Sequence, residues 1–170
     1  VPEGHKLIVF ALPLLSRYEG DFGKAITELV NWQRGKPISL VLKMHPFDHV
    51  NTERQIQETF QTVRVMREGE AAPFMAVADL VLTQHSTVAV EAMAFDTPVA
   101  EIDLSGTGVL EAKSVDGVAF SVTKVEQLDK ILAGELTLDQ EVLRVWKENN
   151  LGRLDGQSTN RAVAEIERLL

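Results

Sequence analysis

Two short runs in this chain carry side chains suited to chemistry on a charged ligand. Lys43-Met44-His45-Pro46 follows directly on the apolar run Ile38–Leu42. Pro46 fixes its own φ and biases His45 toward an extended conformation, which sets the imidazole at the rim of the sheet that run would join. An imidazole there can donate to an oxyanion, and as a cation it can neutralise a leaving phosphate. A histidine that merely caps a loop is the simpler alternative, because one His-Pro pair has low specificity. The second run is Thr83-Gln84-His85-Ser86-Thr87, which follows Leu80-Val81-Leu82 and opens a helix. Ser86 suits an N-cap and Thr87 the first turn. A helix start with open N–H groups and two hydroxyls accommodates an anion, although Ser86 could simply cap. Glu91, four residues beyond Thr87, shares a helix face with it. Its carboxylate could accept from ribose hydroxyls, or be an ordinary solvated group. Gly106-Thr107-Gly108, in the long stretch Asp103–Asp116, either lets backbone approach a ligand closely or makes a turn.

Other chemistries lose their support. His45 and His49 are four apart and His85 could come near them, but the i,i+4 rule belongs to helices and Pro46-Phe47 makes this a loop, so no metal site is expected. There is no G-x-G-x-x-G after the first strand, no G-x-x-x-x-G-K-[ST] and no G-x-S-x-G. The absence of any Cys excludes a disulfide scaffold, a Cys-ligated zinc, an iron–sulfur cluster and a cysteine nucleophile. A net charge of −8 and a pI near 5.0 argue against non-specific nucleic-acid binding. No apolar run approaches the roughly 18–20 residues of a membrane span. The chain opens on Val1 without a charged start or a long apolar stretch, so no signal peptide is expected and a piece of a longer protein is.

The elements that must position these residues follow from the apolar pattern. Strands are expected at Leu7–Leu12, Ile38–Leu42, Val63–Met66, Leu80–Leu82, Val99–Ile102 and Val118–Val122. Helices are expected over Asp21–Arg34, with the stripe Ala25, Ile26, Leu29 and Val30, and over Thr52–Phe60 with Thr52 as N-cap. Further helices fall near Ala71–Val77, Val88–Phe95, Val125–Ala133, Leu138–Asn149 and Ser158–Leu170. Near-continuous apolar strands separated by helices mean a parallel sheet buried on both faces. With right-handed crossovers this becomes an α/β, Rossmann-like doubly wound sheet of about six strands, followed by a helical extension over about 138–170. At 170 residues one such domain buries its own core. Its ligands belong outside the carboxyl ends of the strands, where both chemical runs lie.

With those elements in place, the run Ala78–Val99 resembles the nucleotide-binding core of GT-B glycosyltransferases: a strand, a Ser-Ser/Thr turn, a helix bearing Glu or Asp, then Gly-x-Pro. Together with Lys43 and His45-Pro46 it is most similar to two groups. One is the CDP-glycerol glycerophosphotransferase-like and capsule-polysaccharide transferases; the other is the HP-motif bacterial enzymes using CMP-sugars. The ending Asp155-Gly156-Gln157-Ser158-Thr159-Asn160-Arg161 resembles the Asp-Gly-x-x-x-x-Arg of the first group. The resemblance covers roughly Leu40 to Arg161 and rests on order and spacing rather than on any one motif. Asp96 stands where the family has Gly, at a helix end that wants the left-handed conformation, which Asp tolerates better than most residues.

The resemblance implies a fold that is one half of GT-B, the donor half, with the acceptor domain missing. It implies that His45 contacts the donor phosphate and assists its departure. Ser86, Thr87, Lys43 and His85 would surround the phosphates, Glu91 the ribose, and Arg67 and Glu68 the base. The donor would be CMP-, CDP- or UDP-activated, with no metal and no separate cofactor. The acceptor would be a glycan or lipid-linked polymer held by the other domain. A cytoplasmic location follows, at the inner membrane face for a longer protein, and the chain alone would be inactive. A UDP-sugar 2-epimerase-like domain and a non-catalytic nucleotide-binding module are the alternatives. A flavodoxin-like receiver is disfavoured, because Leu12-Pro13-Leu14 stands where its acidic residues would follow the first strand and Met66-Arg67-Glu68 where its phosphorylatable Asp would follow the third.

Overall fold

The first apolar run shows why this chain becomes a two-faced sheet. In the computed structural model, which describes residues 1–15, 22–84, 86–104, 114 and 116–170, strand β1 spans Lys6–Ala11 and is buried from Leu7 onward. Ile8, Phe10 and the following Leu12 point into one core cluster, and Leu7, Val9 and Ala11 into another. Alternation puts successive side chains on opposite faces, so a strand covered on both sides must be apolar at every position. Strands β2 (Ile38–Lys43), β3 (Arg64–Met66), β4 (Leu80–Thr83), β5 (Val99–Ile102) and β6 (Phe120–Val122) complete a six-stranded sheet in the order β3-β2-β1-β4-β5-β6. Every pairing is parallel.

Helix α1 (Phe22–Gln33) lays Ala25, Ile26, Leu29 and Val30 on the first cluster. Burying a side chain such as Leu29 contributes roughly 1.5–3 kcal/mol. Gly35 at φ +76° and Pro37 then stop the helix. Helix α2 (Val50–Thr59) starts two residues before the expected Thr52, because the cap is His49, whose Nδ1 accepts from the Asn51 N–H at 3.2 Å. The opposite face of the sheet is covered by the short α3 (Ala72–Met75) and by α4 (Val88–Ala94), through Met75, Ala89, Ala92 and Met93. Helix α5 (Glu126–Leu132) returns to the α1 side, where Asp129 accepts from Trp32 Nε1 at 3.1 Å and from Lys36 Nζ at 2.6 Å.

After α4 the chain turns at Asp96, with φ +61°, the left-handed conformation expected where a glycine would be usual. Lys147, from α6 (Gln140–Asn150), pairs with the Asp96 carboxylate, and Leu143 and Trp146 seat that helix against the α4 side of the core. In the Asp-Gly-x-x-x-x-Arg ending, Asp155 accepts from the Gln157 N–H at 3.0 Å and from Arg161 Nη1 at 2.8 Å, so the motif builds the start of α7 (Ser158–Leu169). Helix α7 has no buried residue. Among the described residues no helix is long and apolar enough to cross a membrane.

The chain steps outward from β1 to β3 and then crosses to β4, on the other side of β1. The reversal of strand order therefore falls between β1 and β4, and their carboxyl ends open the crevice where such sheets hold ligands.

Candidate ligand cleft at the carboxyl edge

The last rung of the sheet aligns Met66, Lys43, Ala11, Thr83, Glu101 and Ser121. Partners in a parallel register face the same way, so Lys43, Thr83 and Glu101 lie on one face, all three buried, with the small Ala11 between them at the strand reversal. Lys43 is only 4% exposed, and its Nζ donates to the Arg67 carbonyl at 2.7 Å, beneath the rim. Burial is the main cause that lowers its pKa, and Arg67 adds to this; nearby Glu53 opposes it. Glu101 Oε2 accepts from the Ser114 N–H at 2.8 Å. A carboxylate inside the otherwise apolar Val99–Ile102 was the sequence signal that could have singled out Glu101.

His45 stands half-buried just past β2. Its Nδ1 accepts from the Phe47 N–H at 3.2 Å, which leaves Nε2 to carry the proton in the neutral ring. The Asp48 N–H closes the turn on the His45 carbonyl at 3.0 Å, and the Phe47 ring lies 5.3 Å from the imidazole. Arg67 joins this group: Nη1 donates to the Pro46 carbonyl at 3.4 Å and Nη2 to Glu68 Oε1 at 3.2 Å. Its N–H donates to Glu53 Oε1 at 3.2 Å. Glu53, on α2, is a member of this cluster that sequence reasoning missed. The structure thus brings Lys43, His45, Arg67 and Glu68 together on the β2–β3 side.

Ser86 and Thr87 stand across the crevice, after β4. The N-cap of α4 is Thr87, already in helical conformation and without a side-chain cap bond, rather than the expected Ser86, which stands one residue earlier. Ser86 Oγ accepts from the Val88 N–H at 3.2 Å and its carbonyl from the Ala89 N–H at 3.3 Å. Acting as acceptor, it keeps its hydroxyl proton for donation. Thr87 is exposed, and Glu91 lies on the solvent side of α4, away from the buried Ala89, Ala92 and Met93. Two strand spacings, about 9–10 Å, separate the β2 loop from the β4 turn, with the loop Leu12–Leu15 between them. His85 and Gly106-Thr107-Gly108 lie outside the described residues. A cavity of about 310 Å³ opens at the opposite edge, against Lys6, Val99 and Phe120 at the amino ends of β1, β5 and β6, and has no part in this cleft.

No family model and no curated protein matches the sequence. Solved structures do match the fold. The wall teichoic acid polymerase TagF superposes with a TM-score of 0.63 at 14% identity, over 99% of this chain and 44% of its own. The glycotransferase of kitacinnamycin gives 0.62 at 18% identity, over 99% and 44%. UDP-GlcNAc 2-epimerase from Neisseria meningitidis, bound to UDP-GlcNAc, gives 0.57 at 15% identity, over 90% and 46%. The chain therefore spans less than half the length of these proteins. The likeness shows the fold, a Rossmann-like domain of the kind from which GT-B proteins are built.

Proposed function

We propose that this chain is the donor-nucleotide-binding half of a surface-polysaccharide or teichoic-acid-type glycosyl- or glycerophosphotransferase. Its donor is CMP-, CDP- or UDP-activated and lies across the carboxyl ends of β2, β1 and β4. The observation that carries the reading is His45. Its ring is fixed with Nδ1 as acceptor and Nε2–H as donor, on a turn one strand away from the reversal of strand order. A donor fixed there stabilises charge developing on a departing phosphate without reorganising during the reaction. Ser86 and Thr87 take a second phosphate oxygen across the crevice, Glu91 the ribose, and Arg67 with Glu68 the base. Lys43, held by the Arg67 carbonyl, supports the loop that carries them and adds positive charge below the phosphates. A TagF structure soaked with CDPG, at a TM-score of 0.65, supports the donor class. The acceptor, a glycan or lipid-linked polymer, is held by a domain beyond this chain.

The test is a thermal-shift screen with CMP, CDP, UDP and GDP. A ligand at 100 times its Kd stabilises by about 2.7 kcal/mol. Stabilisation by CMP, CDP or UDP is expected. No shift with any of them overturns the reading. The UDP-GlcNAc-bound epimerase supports a second reading, a UDP-sugar 2-epimerase-like domain. Stabilisation by UDP with none by CMP or CDP would favour it.

A further inference from the structure

We propose that Asp48 is a positioning residue: its buried carboxylate pins the turn that carries His45 to the loop after β1 and so fixes the direction of the His45 Nε2–H. The inference rests on the nucleotide-binding reading above and deepens it.

Asp48 is 5% exposed in a loop whose next residues on either side, Phe47 and His49, are both exposed, Phe47 at 83%. A carboxylate withdrawn from water needs compensation, and this one receives little. Oδ1 accepts from the Leu15 N–H at 3.0 Å, while Oδ2 is buried without a hydrogen-bond partner among the described residues. Folding alone gives no reason to keep an acid there, since a buried group left half-satisfied is destabilising. What the residue does is connect. Its side chain reaches Leu15, 33 positions earlier, and its backbone N–H closes on the His45 carbonyl at 3.0 Å. Between them the Phe47 N–H holds His45 Nδ1. The two loops are already joined at their roots, where the Leu12 N–H donates to the Lys43 carbonyl at 2.9 Å. Asp48 adds a second tie farther out, so the imidazole cannot swing relative to the crevice between β1 and β4. Orientation of this kind is where catalytic donors gain their effect, and small displacements are costly.

The experiment is a double-mutant cycle on the full chain, with CDP and UDP as probes and cytidine and uridine as phosphate-free controls. Asp48→Ala is expected to weaken binding of the nucleotides about tenfold and of the nucleosides hardly at all. Asp48→Asn keeps an oxygen for the Leu15 N–H and is expected to bind like the parent. In a His45→Ala background, Asp48→Ala is expected to add no further loss, because both changes remove one contact. A full additive loss in that background, or equal loss for nucleoside and nucleotide, overturns the proposal. Amide hydrogen exchange provides a ligand-free readout: Asp48→Ala should speed exchange at both Leu15 and Phe47. Faster exchange at Leu15 alone means that the His45 turn is not pinned, and also overturns it. If the parent chain binds neither CDP nor UDP, the nucleotide reading fails while the exchange result still decides the role of Asp48. Should Asp48→Ala not fold, Asp48→Ser, too short to reach Leu15, takes its place.

Discussion

Replacing His45 separates its two structural jobs. The ring's Nδ1 accepts from the Phe47 N–H and holds the turn, while its Nε2–H is the group assigned to the phosphate. His45→Ala removes both. The turn bond is a neutral hydrogen bond at a half-exposed site, so its loss should cost about 0.5–1.5 kcal/mol of stability. A hydrogen bond to a charged phosphate is stronger, about 1.5–3 kcal/mol. At 1.36 kcal/mol per tenfold, that is roughly a 10- to 150-fold rise in Kd. His45→Asn is the informative companion. Its carbonyl oxygen can accept from the Phe47 N–H two residues on, as asparagine does in turns, so stability should return to the parent's. Its amide does not extend to the position of Nε2, so nucleotide affinity should stay low. Titration calorimetry with CMP, CDP and UDP reads affinity, and thermal melts read stability. The reasoning is refuted if His45→Ala binds all three as tightly as the parent while melting markedly lower, since His45 then serves the turn alone.

Ser86→Asp should keep the start of α4, since an Asp carboxylate can accept from the Val88 N–H as Ser86 Oγ does, yet lose most nucleotide affinity by setting a carboxylate against a phosphate; calorimetry with unchanged affinity would remove the anion site after β4. Asp79→Asn should lower stability near neutral pH and converge with the parent in acid, as followed by denaturant melts across pH. Burial alone raises the Asp79 pKa, but hydrogen bonds from Lys6 and the Leu7 N–H, with the Lys6 charge, outweigh it and leave it lowered. A lowered folded-state pKa stabilises above the unfolded value of about 3.9 and fades as pH falls through the folded one, so the two curves should separate only above that range.

The parts of this molecule that local rules govern could be read directly from the residues. Leu7 to Leu12 is apolar at every position because helices cover both faces of β1, and that requirement is written into each residue of the strand. Asp96 was recognisable as a left-handed helix end because it stands at a helix end where the resembled family has Gly. The positions of Lys43-Met44-His45-Pro46 and Thr83–Thr87 at strand ends followed from the same periodicity. The start of α2 did not, because the cap is an imidazole nitrogen of His49 rather than one of the short oxygen side chains that usually signal a cap. Tertiary structure alone decided the partners. That the Lys43 ammonium donates to the Arg67 carbonyl became visible only once β3 was seen beside β2. Asp48 finds Leu15 across 33 positions and Trp32 finds Asp129 across 97. Periodicity and capping act over a few residues, whereas these contacts depend on which strands become neighbours. That choice is made by the burial of the whole sheet, and the strand order it produces is what sets the His45 turn and the Ser86 turn on opposite sides of β1.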